Sequence, residues 1–338
     1  MTPMIVTIGA FDGFHQGHAG LLARARELAG AHGAEWGAVT FHPHPGILMG
    51  ALKGTLFTSC ERELLRRVLG VPHLFILRFD QALKQLSPED FWERLKTVFR
   101  ANGFEIGGVV MGRDFRFGLG QAGTAETLEA LCREEGLAAS IVDLLSRGGR
   151  RYSSTEVRAA VAAGEVRPAR EALGYPWFLW SRVGHGDRRG RTLGFPTANL
   201  ELPGGKLLPA LGVYAAAVAL PAPFPGGGGG KTAWRPGALS IGDNPTFKDD
   251  HRIRAEVFVL DFEGDLYGAN LPVLLLDRLR SVRPFPDAPA LARQIKRDAA
   301  QCRDVYEAYQ KERATVLASF ASALEDMPPF TPDIWRLV

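Results

Sequence analysis

Short apolar runs alternate with helical patterns through the first half of the chain. Runs that fit buried strands lie at residues 4–8, 36–41, 73–79, 106–112 and 137–145. Helical patterns lie between them, at residues 19–30, 60–70, 87–101 and 124–136. Strand and helix in regular alternation predict a parallel sheet covered on both faces, a doubly wound α/β domain.

Local signals predict where several of these helices begin and end. Ser87 is a suitable N-cap, and acidic residues follow it in the first turn, where the helix dipole favours them. Gly30, Gly70 and Gly136 stand where glycine commonly ends a helix.

The pattern changes in the second half, where strands follow one another without long helices. After two short helical patterns at 153–164 and 167–174, strand patterns lie at residues 177–184, 213–220, 237–242, 255–262 and 271–280, and a helical pattern runs from 289 to 324. This predicts a small antiparallel β-barrel with a terminal helix, a sandwich being the alternative. We therefore predict an N-terminal domain at 1–175, a C-terminal domain at 176–325 and a tail at 326–338.

Composition narrows the class of protein. The chain has 338 residues, of which 23% are charged, and a net charge of +3. It lacks a basic stripe interleaved with aromatic residues, so we expect no nucleic-acid partner. No apolar run approaches the roughly 18 to 20 residues that a membrane span needs. Three widely spaced cysteines and no signal-peptide pattern predict a reduced, cytoplasmic protein.

The stretch GAFDGFHQGH at residues 9–18, here called the histidine loop, connects the first strand to the first helix. His15 and His18, three residues apart, fall on one face of the first helical turn. Gly9, Gly13 and Gly17 let the backbone turn sharply and approach a ligand. Helix N-termini bind anions, so we predict a phosphate site here. Two solvated histidines, or a metal pair, are the alternatives.

Several motifs together resemble one family. They are GAFDGFHQGH at 9–18, FHPHP at 41–45, GRDFRFG at 112–118, SSTEVR at 153–158, GRTLGFPTANL at 190–200, GVYAA at 212–216, SIGDNPTF at 240–247 and EVFVLDFEGDLYG at 256–268. In this order they resemble the bifunctional bacterial riboflavin kinase/FMN adenylyltransferases, also called FAD synthetases. The first half of that family is similar to nucleotidylyltransferases.

The resemblance implies that the first half joins FMN to the adenylyl group of ATP. His15 and His18 would then steady the ATP phosphates, and Asp114 would lie near the adenosine and flavin. The further nucleotide-binding residues implied are Gly9, Phe11, Asp12, Gly17, Arg151, Ser154, Thr155 and Arg158.

The second half would transfer the γ-phosphoryl group of ATP to riboflavin. Its glycine-rich basic loop, with Gly190, Arg191 and Gly194, suits phosphates. By resemblance, Thr197 and Asn199 would hold Mg²⁺, which prefers oxygen ligands, and Glu256 would be the general base. Riboflavin, FMN, FAD and ATP are then the small-molecule partners.

Other interpretations stay open at this point. SSTEVR also fits a plain capped helix with a surface arginine, and Glu256 also fits an edge-strand charge that faces water. The protein would then be a monofunctional FMN adenylyltransferase whose barrel is an inactive flavin-docking module, or a non-enzymatic flavin carrier. The sequence leaves the oligomeric state open.

Overall fold

The computed structural model describes residues 1–143, 152–185, 194–220, 232–243, 253–325 and 327, and the backbone of two short strands at 146–147 and 150–151. The chain forms two compact units that divide between Ser154 and Thr155. The domain boundary at 175/176 stays a prediction. Residues 190 and 191, the glycine-rich insert at 221–230 and the tail at 326–338, apart from 327, lie outside the described residues.

The first unit is built on a five-stranded parallel sheet with the strand order β3-β2-β1-β4-β7. Its strands, with two short hairpins, are β1 Thr2–Ile8, β2 Glu35–His42, β3 His73–Arg78, β4 Phe104–Gly112, β5 Arg116–Phe117, β6 Gly123–Thr124, β7 Ala138–Val142, β8 Ser146–Arg147 and β9 Arg150–Arg151. The helices are α1 Gln16–His32, α2 Pro45–Leu48, α3 Ser59–Val68, α4 Gln81–Lys84, α5 Pro88–Ala101 and α6 Ala125–Glu134. The predicted doubly wound domain is confirmed.

This topology positions the histidine loop. The loop leaves the carboxyl end of β1, which lies between β2 and β4 in the sheet. Loops at the carboxyl ends of parallel strands share one edge of the sheet, where ligands bind in such folds. The Gly9 N–H donates to the carbonyl of Val39 at 3.0 Å, so the loop starts against the end of β2.

The helix ends follow the predictions with one exception. Ser87 caps α5, its hydroxyl accepting from the Asp90 N–H, and Gly70 and Gly136 have positive φ directly after their helices. Gly30 as a stop is wrong. Helix α1 continues to His32 and ends at Gly33, whose φ of 59° forms the left-handed cap, because an exposed glycine inside a helix costs only about 1 kcal/mol.

The second unit contains a closed six-stranded barrel with the order β10-β11-β14-β13-β12-β15, antiparallel throughout. Its elements are α7 Ser154–Ala163, α8 Val166–Leu173, β10 Phe178–Gly184, β11 Ala198–Leu200, β12 Gly212–Leu220, β13 Ala233–Asp243, β14 Ile253–Val259, β15 Asn270–Arg280 and α9 Ala288–Glu325. The predicted barrel and terminal helix are confirmed. The three-residue strand β11 was not predicted.

The terminal helix is joined to the barrel by a buried ion pair. Arg280 of β15 donates from Nη2 to an oxygen of Asp298 in α9 at 2.7 Å, and Asp298 is buried. Across the described ranges, no helix combines the length and the apolar character that crossing a bilayer requires.

Candidate functional sites

The histidine loop has an uncommon backbone conformation. Phe11 has a φ of 41°, Gly13 of 102° and Phe14 of 39°. A positive φ is rare for a bulky residue and persists only where the surroundings hold it. Both phenylalanine rings are buried and stack at 5.2 Å between centroids, so core packing holds the loop in this shape.

The loop delivers two imidazoles to the start of α1. His15 is the N-cap residue and is 2% exposed, and its ring stacks on that of His18 at 3.8 Å between centroids. The rings of Phe11 and His18 also pack edge to face, with 4.9 Å between their centroids. The Nδ1 atoms of both histidines are buried and have no hydrogen-bond partner among the described residues. Two ring nitrogens are therefore held at the helix end where an anion binds best.

Both rings are neutral near pH 7. Burial lowers the pKa of His15 to about 4, an effect that the Asp12 charge partly offsets. Burial, and then the neighbouring His15, lower the pKa of His18 well below its usual value. Each ring therefore presents one N–H donor and carries no charge, and such donors suit phosphate oxygens that gain charge during a reaction.

Gly17 allows a second segment to pass close to this turn. A Cβ at position 17 would lie 2.6 Å from the carbonyl oxygen of Tyr152 and 2.9 Å from the His15 ring. Beside it, the hydroxyl of Ser154 donates to the carbonyl of Asp12 at 3.1 Å. The structure therefore brings Ser154 to the histidine loop, and its contact with a nucleotide stays a prediction.

Asp12 fixes the histidine loop to a neighbouring segment through hydrogen bonds to its carboxylate. Its carboxylate accepts from the backbone N–H of Leu56 at 3.0 Å and from that of Phe57 at 3.4 Å, and the residue is 1% exposed. This fixes the loop to the segment before α3, a role that the sequence did not indicate. Contact between Asp12 and a nucleotide stays a prediction.

The other predicted residues of the first site lie in the loop after β4, in β9 and in α7. Asp114 is exposed and follows the carboxyl end of β4, on the sheet edge that the histidine loop shares. Arg151 lies in β9, and its side chain is outside the described residues. Thr155 and Arg158 lie in α7, within the second unit. Their contribution to phosphate binding stays a prediction.

A second cluster forms in the barrel. The hydroxyl of Thr197 donates to a carboxylate oxygen of Glu256 at 3.1 Å, and Asn199 in β11 is directly paired with Glu256 in β14. All three side chains are half-buried. The short strand β11 therefore brings together the three residues that the sequence predicted for this site.

Two of these side chains border open space that can hold a ligand. Thr197 and Asn199 line a cavity of about 400 Å³, whose wall also includes Phe262, Glu263 and Tyr267. The rings of His185 and Tyr267 pack together, with 4.5 Å between centroids. Gly194 lines an adjoining cavity of about 650 Å³. Phe262 and Tyr267 lie in the segment between β14 and β15, and no pattern in the sequence predicted that they would form this wall.

Oxygen donors are the metal-binding groups available here. Within the part of the chain that the structure describes, no group of three or more His, Cys, Asp or Glu side chains is arranged to hold a metal. The hydroxyl of Thr197 and the amide oxygen of Asn199 are oxygen donors of the kind that Mg²⁺ favours, and the Glu256 carboxylate lies beside them. The donor set in the barrel therefore fits Mg²⁺.

The fold and the two clusters define a class of protein in which a nucleotidylyltransferase-type α/β domain precedes an antiparallel barrel. A family model described as FAD synthetase matches residues 1–156, and one described as riboflavin kinase matches residues 173–306. The chain belongs to the family of bifunctional riboflavin kinase/FMN adenylyltransferases.

Individual relatives are similar over almost their whole length. The bifunctional riboflavin kinase/FMN adenylyltransferase of Listeria monocytogenes is 32% identical over 302 residues, covering 88% of this chain and 91% of that protein. The enzyme of that description from Escherichia coli is 34% identical over 304 residues, covering 89% and 92%. A solved structure from Streptococcus pneumoniae, described as a macrolide-efflux protein, has 31% identity and a TM-score of 0.76, covering 89% and 94%.

Replacing Gly17 by alanine is expected to destabilise the protein by about 1–3 kcal/mol, because the new methyl group meets a backbone oxygen and a buried ring. Gly30 in the same helix is the matched control. A Cβ there meets nothing within 4 Å, so Gly30→Ala is expected to stabilise by about 0.5–1 kcal/mol. Urea unfolding of both variants checks this, and equal midpoints would contradict the packing described.

The buried ring of His15 is expected to titrate at about pH 4 in the ligand-free folded protein and near 6.5 when unfolded. The unfolded state therefore binds the proton first, and the folded state loses stability as pH falls from 6.5 to 4. Proton NMR of the imidazole, assigned with a His15→Gln variant, measures the midpoint. The same titration in urea is the control, and a folded-state midpoint near 6.5 would refute the neutral ring.

Proposed function

We propose that the chain makes FAD from riboflavin in two ATP-dependent steps, each at its own side-chain cluster. The barrel unit phosphorylates riboflavin to FMN, and the α/β unit adenylylates FMN to FAD with release of pyrophosphate. One observation carries the proposal: each of the two family models covers one of the two side-chain clusters. Both steps use small-molecule substrates, so we expect no nucleic-acid or membrane partner.

Adenylyl transfer needs no nucleophile from the protein. A phosphate oxygen of FMN attacks the α-phosphorus of ATP, the bond to the pyrophosphate oxygen breaks, and negative charge gathers on the leaving group. His15 and His18 donate hydrogen bonds to these oxygens from the start of α1. Catalysis is then mostly positioning and charge stabilisation. Arg151, Ser154, Thr155 and Arg158 would hold the rest of the triphosphate, and Asp114 the adenosine and flavin.

In the barrel, Glu256 would accept the proton of the ribityl 5′-hydroxyl as that oxygen attacks the γ-phosphorus of ATP. The bond from the γ-phosphorus to the bridging oxygen breaks, and ADP leaves. The hydrogen bond from Thr197 orients the carboxylate for this task. Thr197 and Asn199 would hold Mg²⁺, which neutralises charge on the phosphates when it is bound. Gly190, Arg191 and Gly194 would place the phosphates.

Product analysis over time tests the proposal. The full chain is incubated with riboflavin, ATP and Mg²⁺, and FMN and FAD are resolved. FMN is expected first and FAD after it. FAD from supplied FMN, with no FMN from riboflavin, would favour the monofunctional adenylyltransferase, in which the barrel only docks flavin. Tight flavin binding without pyrophosphate release would favour the carrier.

Two substitutions are expected to separate the activities in opposite directions. Glu256→Gln removes the proton acceptor and is expected to lower FMN formation about 10²–10⁴-fold, leaving FMN-to-FAD conversion intact. His18→Ala removes a donor to the phosphates and is expected to lower FAD formation about 10²–10³-fold, leaving FMN formation intact. Each variant is the other's control. Loss of both activities in either variant would contradict two separate sites.

A cytoplasmic location, inferred from cysteine usage, stays a prediction. The described residues agree with that usage, since Cys60, Cys132 and Cys302 are all buried free thiols.

A further inference from the structure

Arg62 is a buried cation that is hydrogen-bonded, through Thr40, to the histidine loop. The reaction described above gives no role to Arg62. It lies in α3, is 1% exposed and donates from Nη1 to the hydroxyl of Thr40 and to the carbonyl of Phe41, both at 3.3 Å. Its other terminal nitrogen donates to the hydroxyl of Ser59 at 3.2 Å. A buried charge is costly unless it is compensated, so its presence here needs a reason.

Thr40 connects this cation to the loop. Its hydroxyl donates to the carbonyl of Ala10, inside the histidine loop, at 2.7 Å. A hydroxyl has one proton to donate and lone pairs to accept with. Because Thr40 accepts from Arg62, its proton is directed to Ala10, and two hydrogen bonds join the guanidinium to the loop backbone.

Charge connects the same two parts a second time. Burial lowers the pKa of Arg62, and the Asp12 carboxylate opposes that effect. Asp12 also raises the pKa of His15 against the lowering by burial. Its carboxylate holds the loop by accepting hydrogen bonds from the N–H groups of Leu56 and Phe57. The cation therefore compensates the carboxylate that holds the loop in place.

We propose that Arg62 is a positioning residue for adenylyl transfer, which sets the position of His15 and His18 through Thr40, Ala10 and Asp12. Arg62 acts through these residues and not by touching the substrate, since it is only 1% exposed. The inference rests on the proposed FMN adenylyltransferase activity and extends it to a residue that no sequence motif indicated.

Steady-state kinetics of FMN-to-FAD conversion by the full chain tests the proposal. Displaced imidazoles would lose the hydrogen bonds that they form to the phosphate oxygens as those oxygens gain negative charge in the transition state. Arg62→Met is therefore expected to lower kcat about 100-fold, with KM for ATP little changed. Arg62→Lys, which keeps the charge, is expected to recover part of kcat. Arg67→Met is the matched control, because Arg67 pairs with Glu63 on the same helix.

Thr40→Val breaks the hydrogen bonds from Arg62 to Thr40 and from Thr40 to Ala10 without removing a charge. It can test the proposal even if Arg62→Met does not fold. It is expected to lower kcat as well. The double variant is expected to lose little more than Arg62→Met alone, because both changes break one path. Unchanged kcat in Thr40→Val, or fully additive losses, would overturn the proposal.

A readout that needs no activity separates this inference from the proposed function. In the ligand-free protein, the imidazole proton signals of His15 and His18 are expected to shift in Arg62→Met and Thr40→Val, and to stay unmoved in Arg67→Met. Unmoved signals in all three would overturn the positioning role. Shifted signals in a protein that makes no FAD from FMN would support the geometry and refute the adenylyltransferase.

Discussion

The first site depends on holding the histidine loop in a conformation that its residues do not favour. Phe11 and Phe14 both have positive φ, and each such residue costs on the order of 1–3 kcal/mol. Burial of the stacked rings and the hydrogen bonds from Leu56 and Phe57 to Asp12 offset that cost. The consequence is chemical, because this loop shape buries the His15 ring and leaves both imidazoles neutral at the start of a helix.

The barrel cluster depends on closure in a similar way. Strand β11 has only three residues, yet it pairs with both β10 and β14 and completes the ring of strands. Direct pairing places Asn199 opposite Glu256 on one face of the sheet, since opposed residues in antiparallel strands point to the same side. An open sheet would leave the carboxylate at an edge facing water. Closure instead sets Glu256 against the hydroxyl of Thr197, which itself lines the cavity.

Sequence patterns predicted what is local and missed what is long-range. Every strand of five or more residues in the two main sheets had a recognisable apolar run, whereas β11 is too short to show any period. The motif spacing predicted His15 and His18 at the helix start. It did not predict that Asp12 would accept from the N–H groups of residues 44 and 45 positions later, nor that Glu61 and Arg62 would be the buried charges among those in CERELLRR. The Thr58–Glu61 capping box fixes where that helix begins, but not which of its charges is buried.

Neutral imidazoles are a better choice for this reaction than permanent cations would be. A buried arginine at position 15 would attract the triphosphate strongly in the ground state, and equal binding of substrate and transition state does not raise kcat. A neutral N–H donor interacts modestly with the starting phosphates and more strongly as negative charge develops on the leaving oxygens. The buried cation Arg62 instead compensates Asp12 and donates to Thr40. Charge is therefore used to fix the loop, and uncharged donors are left for the phosphates that we propose bind here.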